Sequence, residues 1–142
     1  MTQLNVNKDI SKATSISADF YTDSYYLNLV LGTIFEKSWQ LICHKSDLLK
    51  KSVYPFTFLR DSLNEPLVIT KKSNQIRCLS NVCTHRGSIL CEEENKYNKV
   101  QCKYHGRIFN LKGEFQKAPE FENVKFFPTK KDNLKKFPIK LW

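Results

Sequence analysis

The sequence predicts a mainly β domain of small antiparallel sheets, preceded by an N-terminal α-helix. From residue 51 onward, apolar residues occur in short runs separated by polar turns, which is typical of short strands at short intervals. Between residues 23 and 35, apolar residues instead recur every three or four positions, which is the period of a helix. Two loops in the β region each combine a cysteine and a histidine with a nearby glycine. We therefore expect the sheets to support these two loops.

The chain divides into three predicted segments. Residues 1–15 are polar and without periodicity, so we expect a flexible tail. Residues 16–50 are a helical lead, and residues 51–142 are the β domain. One helical face of the lead is formed by five apolar residues: Leu27, Val30, Leu31, Ile34 and Phe35. Asp23 or Ser24 is suited to cap the start of this helix.

The β domain contains several predicted short strands. They span residues 54–59, 66–70, 75–79, 99–101 and 107–110. The polar residues 72–74 predict a tight turn, which makes the second and third of these strands a β-hairpin. A second turn is predicted at residues 111–114, and Asn95 and Lys96 are predicted to form an exposed turn.

The two loops carry the most distinctive chemistry of the chain. Their pattern is C-x-H, sixteen residues, then C-x-x-H, which places the four candidate ligands at Cys83, His85, Cys102 and His105. Residues two apart in an extended loop can point the same way, whereas a spacing of three suits a tight turn. The gap is long enough for a β-hairpin, which would bring the two loops side by side.

These ligand types indicate a metal centre. Two thiolates and two imidazoles suit an iron–sulfur cluster with two unequal irons, the cysteines holding one iron and the histidines the other. The same four side chains could instead bind one zinc ion tetrahedrally. Structural zinc sites usually pair like ligands, as C-x-x-C and H-x-x-x-H, so the spacing here differs from theirs. Zinc stands as the alternative.

The segments C-T-H-R-G at residues 83–87 and C-K-Y-H-G at residues 102–106 resemble the ligand boxes of the Rieske iron–sulfur family. The resemblance implies a Rieske-type fold, a [2Fe-2S] cluster on the four candidate ligands, and one-electron transfer. Residues 20–23 and 34–39 also resemble the lead of ring-hydroxylating oxygenase large subunits. We therefore interpret residues 51–142 as similar to the N-terminal Rieske domain of such subunits. A stand-alone Rieske ferredoxin is the alternative.

The resemblance is to one branch of that family. Respiratory members carry an extra cysteine in each box, joined by a disulfide, whereas this chain has Ser88 and Tyr104 there. The oxygenase and ferredoxin branch usually has a tryptophan after H-G, and Arg107 takes its place here, at a rim expected to contact partners. Two further candidates are the Tyr104 hydroxyl, as a donor to cluster sulfur, and Arg86, as the partner of a carboxylate.

No catalytic residue is assigned in this chain. The mononuclear iron of an oxygenase takes two histidines and one carboxylate. Beyond the two loop histidines, the chain has only His44, which we interpret as a surface or capping histidine. Although the resemblance is to an oxidoreductase, the mononuclear Fe(II) would therefore belong to a catalytic domain that the chain as given lacks. We expect a fragment or truncated product of an oxygenase large subunit.

The composition bears on partners. The formal net charge is +9, with lysine and arginine spread through the chain, so we do not expect a nucleic-acid partner. This charge would attract a redox partner, a reductase or a ferredoxin, that has an acidic surface. The second expected partner is the catalytic domain or a neighbouring subunit.

The composition also bears on location. No run of about twenty apolar residues predicts a membrane span, and the N-terminus lacks the pattern of a secretion signal. The five cysteines are an odd number, and at least two have the spacing of metal ligands. This use of cysteine predicts a reducing cytoplasm.

Overall fold

The computed structural model describes residues 6–121 and 123–142. The chain divides into two compact units, Met1–Leu41 and Ile42–Trp142. The sequence-based boundary at residue 50 stays a prediction. So does the flexible tail at residues 1–15, of which residues 1–5 lie outside the described residues.

The N-terminal unit contains the predicted helix. Its elements are α1 (Asp19–Thr22), α2 (Ser24–Thr33) and a 3₁₀ helix (Phe35–Lys37). The Asp23 carboxylate accepts a hydrogen bond from the backbone N–H of Tyr25 at 2.9 Å, so Asp23 caps α2 as predicted. The buried residue of α2 is Tyr26, which the apolar pattern did not include. Its ring centroid lies 5.6 Å from that of Phe20.

The C-terminal unit consists of two antiparallel sheets. The strands are β1 (Val53–Phe58), β2 (Glu65–Lys72), β3 (Gln75–Ser80), β4 (Lys99–Gln101), β5 (Ile108–Asn110), β6 (Phe115–Lys117) and β7 (Lys136–Phe137). The first sheet has the order β1-β2-β3-β7 and the second β4-β5-β6. Two 3₁₀ helices, Lys45–Leu48 and Lys130–Asp132, complete the unit. The predicted class of small antiparallel sheets preceded by a helix is confirmed.

One hydrophobic core is shared by both sheets. Val53 of β1 and Phe109 of β5 are both fully buried in it. The Thr70 hydroxyl of β2 donates to the backbone carbonyl of Leu111 at 2.7 Å and so links the sheets inside the core. A backbone hydrogen bond of 2.8 Å from Leu134 to Gly113 attaches the C-terminal segment. The second sheet is thereby held against the first.

The two loops are not brought together by a hairpin within the gap between them, as the sequence analysis had predicted. In the gap, residues 86–101, β4 pairs with β5, which lies beyond the second Cys–His loop. That loop is therefore the turn of the β4–β5 hairpin. The other loop follows β3 and is closed by an isolated bridge between Val82 and Ile89. Packing of one sheet on the other brings the loops together, a long-range effect that spacing along the chain does not encode.

Across the described parts of the chain, no helix combines the length and the apolar character needed to span a membrane.

Candidate metal centre

The first loop, residues 83–88, is a tight turn closed by its own backbone. The N–H of Cys83 donates to the carbonyl of Ser88 at 2.8 Å, and the N–H of Gly87 donates to the carbonyl of Cys83 at 3.1 Å. Gly87 has a φ of 71°, in the left-handed region that glycine adopts at least cost. The cysteine and the glycine thus fix the shape of the turn, and of the residues between them Thr84 and His85 are half-buried and Arg86 is exposed.

The second loop, residues 102–107, repeats this turn. The N–H of Cys102 donates to the carbonyl of Arg107 at 2.8 Å, and the N–H of Gly106 donates to the carbonyl of Cys102 at 3.0 Å. Gly106 has a φ of 72°. In both loops the glycine comes four residues after the cysteine, so two different sequence motifs build one backbone conformation.

The two loops bring the cysteines together. Cys83 and Cys102 are only 3% and 2% exposed, and their side chains are within hydrogen-bonding distance of each other. Burial raises the pKa of Cys83. Burial acts in the same direction on Cys102, but hydrogen bonds outweigh it, first those from the backbone N–H groups of His105 and Tyr104 and then those from the Cys83 and Ser88 side chains, so the pKa of Cys102 is lowered.

The two histidines form a second pair. The ring centroids of His85 and His105 lie 4.7 Å apart, with the ring planes at 63°. His85 is half-buried and His105 is exposed. Desolvation, followed by the nearby charge of Arg107, lowers the pKa of His85, which keeps its imidazole neutral and able to donate a lone pair at neutral pH.

Tyr104 stands beside a histidine rather than beside sulfur. Its ring centroid lies 3.7 Å from that of His105, and the residue is 60% exposed. The expectation that its hydroxyl donates to sulfur is not supported by this position. Its contribution to Cys102 comes from the backbone N–H instead. Ser88, predicted only as the replacement for a disulfide cysteine, also lowers the pKa of that thiol, after the larger effect of the Cys83 side chain.

Arg107 is buried rather than placed at a partner-facing rim. It is 5% exposed and donates to the Asp132 carboxylate at 3.1 Å. Arg86, the predicted partner of a carboxylate, is exposed. Sequence reasoning missed Asp132 because it lies far along the chain, although the T-x-x-D spacing from Thr129 is a capping signal for its turn.

A cavity of about 230 Å³ opens beside the histidine pair. It is lined by His85, His105, Arg107 and residues 118–121. His44 takes no part in it, because it caps the 3₁₀ helix Lys45–Leu48 by accepting from the Ser46 N–H through Nδ1, as predicted for a capping histidine.

The donor set fits a group with two unlike metal atoms. The thiols and the imidazoles form two separate pairs rather than one tetrahedron. Within residues 6–121 and 123–142, no group of three or more histidine, cysteine, aspartate and glutamate side chains is placed to hold a single metal ion. A Cβ on Gly87 would meet nothing within 4 Å, so the space beside the first loop is open.

This unit is a small two-sheet β domain with paired cysteines and paired histidines on two matched turns. These features are those of a metal-binding domain. Comparison with known families agrees, since the model of the Rieske [2Fe-2S] domain matches residues 38–128. The chain belongs to this family. Membership implies a [2Fe-2S] cluster.

Similar proteins are oxygenases or oxygenase subunits. The carnitine monooxygenase oxygenase subunit of Escherichia coli K12 is 33% identical over 132 residues, 92% of this chain and 34% of that protein. The chloroplastic choline monooxygenase of Amaranthus tricolor is 35% identical over 123 residues, 87% of this chain and 27% of that protein. The chain thus spans about a third of the length of the curated relatives it matches.

A similar solved structure is a quaternary ammonium Rieske monooxygenase in complex with L-carnitine. It has a TM-score of 0.74 at 30% identity, over 86% of this chain and 34% of that one. The predicted resemblance to the N-terminal Rieske domain of oxygenase large subunits is confirmed.

Proposed function

We propose that Cys83 and Cys102 hold one iron of a Rieske cluster and that His85 and His105 hold the other. The observation that carries this assignment is the pairing produced by the two matched turns. Thiols within hydrogen-bonding distance and imidazoles 4.7 Å apart separate the two ligand types into two groups, as two unequal irons require.

Residues around the ligands prepare them for metal. The backbone N–H groups that lower the pKa of Cys102 favour its thiolate, which is the form that binds metal. The neutral imidazole of His85 is the form that binds metal, and its pKa is lowered first by desolvation and then by charges that include Arg107 and Arg86. The exposed ring of His105 offers the route by which an electron reaches or leaves the site.

The chain would act as the electron-entry domain of a Rieske-type oxygenase. When bound, the cluster supplies one-electron transfer at a potential above that of four-thiolate plant-type ferredoxins. The similarity to oxygenase subunits supports this role over that of a stand-alone ferredoxin. The mononuclear Fe(II) would then be held by a catalytic domain or a neighbouring subunit, because the sequence has only one histidine outside the two loops.

The electron donor would be a reductase or ferredoxin that approaches the exposed imidazole of His105. The net charge of +9 favours a donor with an acidic surface. The five cysteines form no disulfide with one another, which is the state expected in a reducing cytoplasm, where we propose that the chain works.

Metal analysis tests the ligand assignment. Protein purified without oxygen should contain about two irons and two acid-labile sulfides per chain. Cys83→Ser and His85→Asn should each lose most of both. Matched controls are Cys43→Ser, at a half-buried cysteine outside the loops, and His44→Asn, since asparagine is also a good N-cap. Both controls should keep the wild-type iron and sulfide.

A different metal content would contradict the ligand assignment. About one zinc and no sulfide per chain would replace the redox function with a zinc-stabilised module. Loss of iron in the two controls as well would mean that the ligands do not lie only in the two loops.

A further inference from the structure

Arg107 is the one charged side chain that is buried in the described ranges 6–121 and 123–142. Burying a charge costs free energy unless hydrogen bonds and an opposite charge compensate it. Arg107 directly follows the glycine of the second loop, so the buried charge lies at the end of a ligand turn. This position suggests that Arg107 acts on the metal centre.

The guanidinium group connects both loops to a third segment. Its Nη1 donates to the Thr84 hydroxyl at 2.9 Å and to the Asp132 carboxylate at 3.1 Å. The Thr84 hydroxyl in turn donates to the backbone carbonyl of Asp132 at 2.9 Å. Thr84 lies between Cys83 and His85 in the first loop. These bonds form a closed triangle, in which no corner can move without breaking two bonds.

Aromatic rings enclose the guanidinium. Its central carbon lies 5.5, 6.0 and 5.2 Å from the ring centroids of Phe115, Phe121 and Phe127, within the range of cation–π attraction. Phe121 is also 6.0 Å from the ring of His85, centroid to centroid. The three rings exclude water from the guanidinium and so strengthen its electrostatic effect on nearby groups.

We propose that Arg107 is the positioning residue of this centre: its two hydrogen bonds from Nη1 fix the first loop against the second, and its buried charge favours the reduced state. Because reduction adds a negative charge between the loops, a buried positive charge close by stabilises the reduced form. The inference rests on the proposed cluster ligands. Arg107 lines the same cavity as His85 and His105.

Three variants separate the charge from the geometry. Arg107→Met removes both, and Arg107→Lys keeps the charge but replaces a planar fork with a single ammonium group. Thr84→Val removes the bond between the loops and leaves the charges in place. Iron and sulfide are measured first in all proteins. The reduction potential and the hydrogen exchange of the Gly87 and Gly106 amides, which close the two turns, are then compared.

Arg107→Met should shift the reduction equilibrium about tenfold toward the oxidised form, which is 59 mV for one electron. Arg107→Lys should keep the reduction equilibrium within about twofold of wild type, yet both glycine amides should exchange faster. Thr84→Val should also speed exchange without a shift in potential. If Arg107→Met does not load or fold, Arg107→Lys and Thr84→Val still test the positioning role by exchange.

Two results would overturn the proposal while the ligand assignment stands. The first is a loaded Arg107→Met protein with the wild-type potential. The second is unchanged exchange of both glycine amides in Arg107→Lys and Thr84→Val. A wild-type protein without iron and sulfide would instead overturn the ligand assignment itself, so the two failures are distinct.

Discussion

The two ligand loops share one backbone conformation but carry their histidines at different positions. Each closes a turn with two hydrogen bonds between the cysteine and the residues four and five positions later. The histidine comes two residues after the cysteine in the first loop and three residues after it in the second. Cysteine and glycine therefore set the turn, and the histidine position is free to vary within it.

The fifth residue after each cysteine makes the loops dependent on each other. The Ser88 hydroxyl of the first loop is among the groups that lower the pKa of Cys102 in the second. Arg107 of the second loop donates to Thr84 in the first. The contacts are thus reciprocal but unequal, because one is a hydroxyl bond to sulfur and the other is a buried charge with an acidic partner. Three changes test this comparison.

Alanine substitution of the two loop glycines should cause the largest losses of stability, and the losses should differ between the loops. Alanine at either position adopts a left-handed backbone at a cost of about 1–2 kcal/mol. A Cβ on Gly106 would also lie 3.0 Å from Cγ of Pro119, whereas a Cβ on Gly87 meets nothing within 4 Å. Overpacking adds about 1–3 kcal/mol, so Gly106→Ala should lose more stability than Gly87→Ala by that amount. Urea unfolding of both variants, followed by far-UV circular dichroism, measures the difference.

Equal losses in the two glycine variants would mean that Pro119 moves aside and that the loops are equivalent in packing as well as in backbone. Gly32, in helix α2, has open space around its Cβ position, so Gly32→Ala is a control for the substitution itself. It should be neutral or slightly stabilising.

Low pH should weaken the contact between Arg107 of the second loop and the Asp132 carboxylate. Burial acts to raise the pKa of Asp132, but hydrogen bonds from Thr129 and the charge of Arg107 outweigh it, so the pKa is lowered below 3.8. The unfolded chain therefore takes up this proton first, and the stabilisation is full above pH 3.8 and lost as the pH falls through the folded-state pKa. Asp132→Asn should cost about 1.5–3 kcal/mol at pH 7 and flatten the acid dependence.

Unfolding midpoints of wild type and Asp132→Asn between pH 7 and pH 3 test this expectation. The two curves should converge as the pH falls. Parallel curves would show that the acid dependence comes from other carboxylates.

The smallest effect is expected at Ser88. A hydrogen bond to a ligand sulfur raises the reduction potential of an iron–sulfur cluster. Ser88→Ala should therefore lower the potential by less than Arg107→Met does, and Ser88→Thr, which keeps the hydroxyl, should restore it. A potentiometric titration of the three variants ranks them. A larger shift for Ser88→Ala than for Arg107→Met would reverse the order of the two contacts between the loops.

Much of the fold could be read from local pattern. The turn at residues 72–74 and the apolar runs beside it predicted the β2–β3 hairpin, because alternation and turn residues act over short distances. The helix start at Asp23 could also be predicted, because an aspartate side chain can accept a hydrogen bond from a backbone N–H two residues later, here that of Tyr25. The gap between the loops was predicted wrongly as a hairpin, because the strand partner of β4 lies beyond the second loop.

The sequence by itself determined the four candidate ligands, the two glycines and the family, since these depend on residue type and spacing. Only the tertiary structure decided that Arg107 is buried and paired with Asp132, and that Ser88 reaches Cys102. These contacts join segments that are distant in sequence, and they form only when the two sheets pack. A residue's type limits the bonds it can make, but the fold selects its partner.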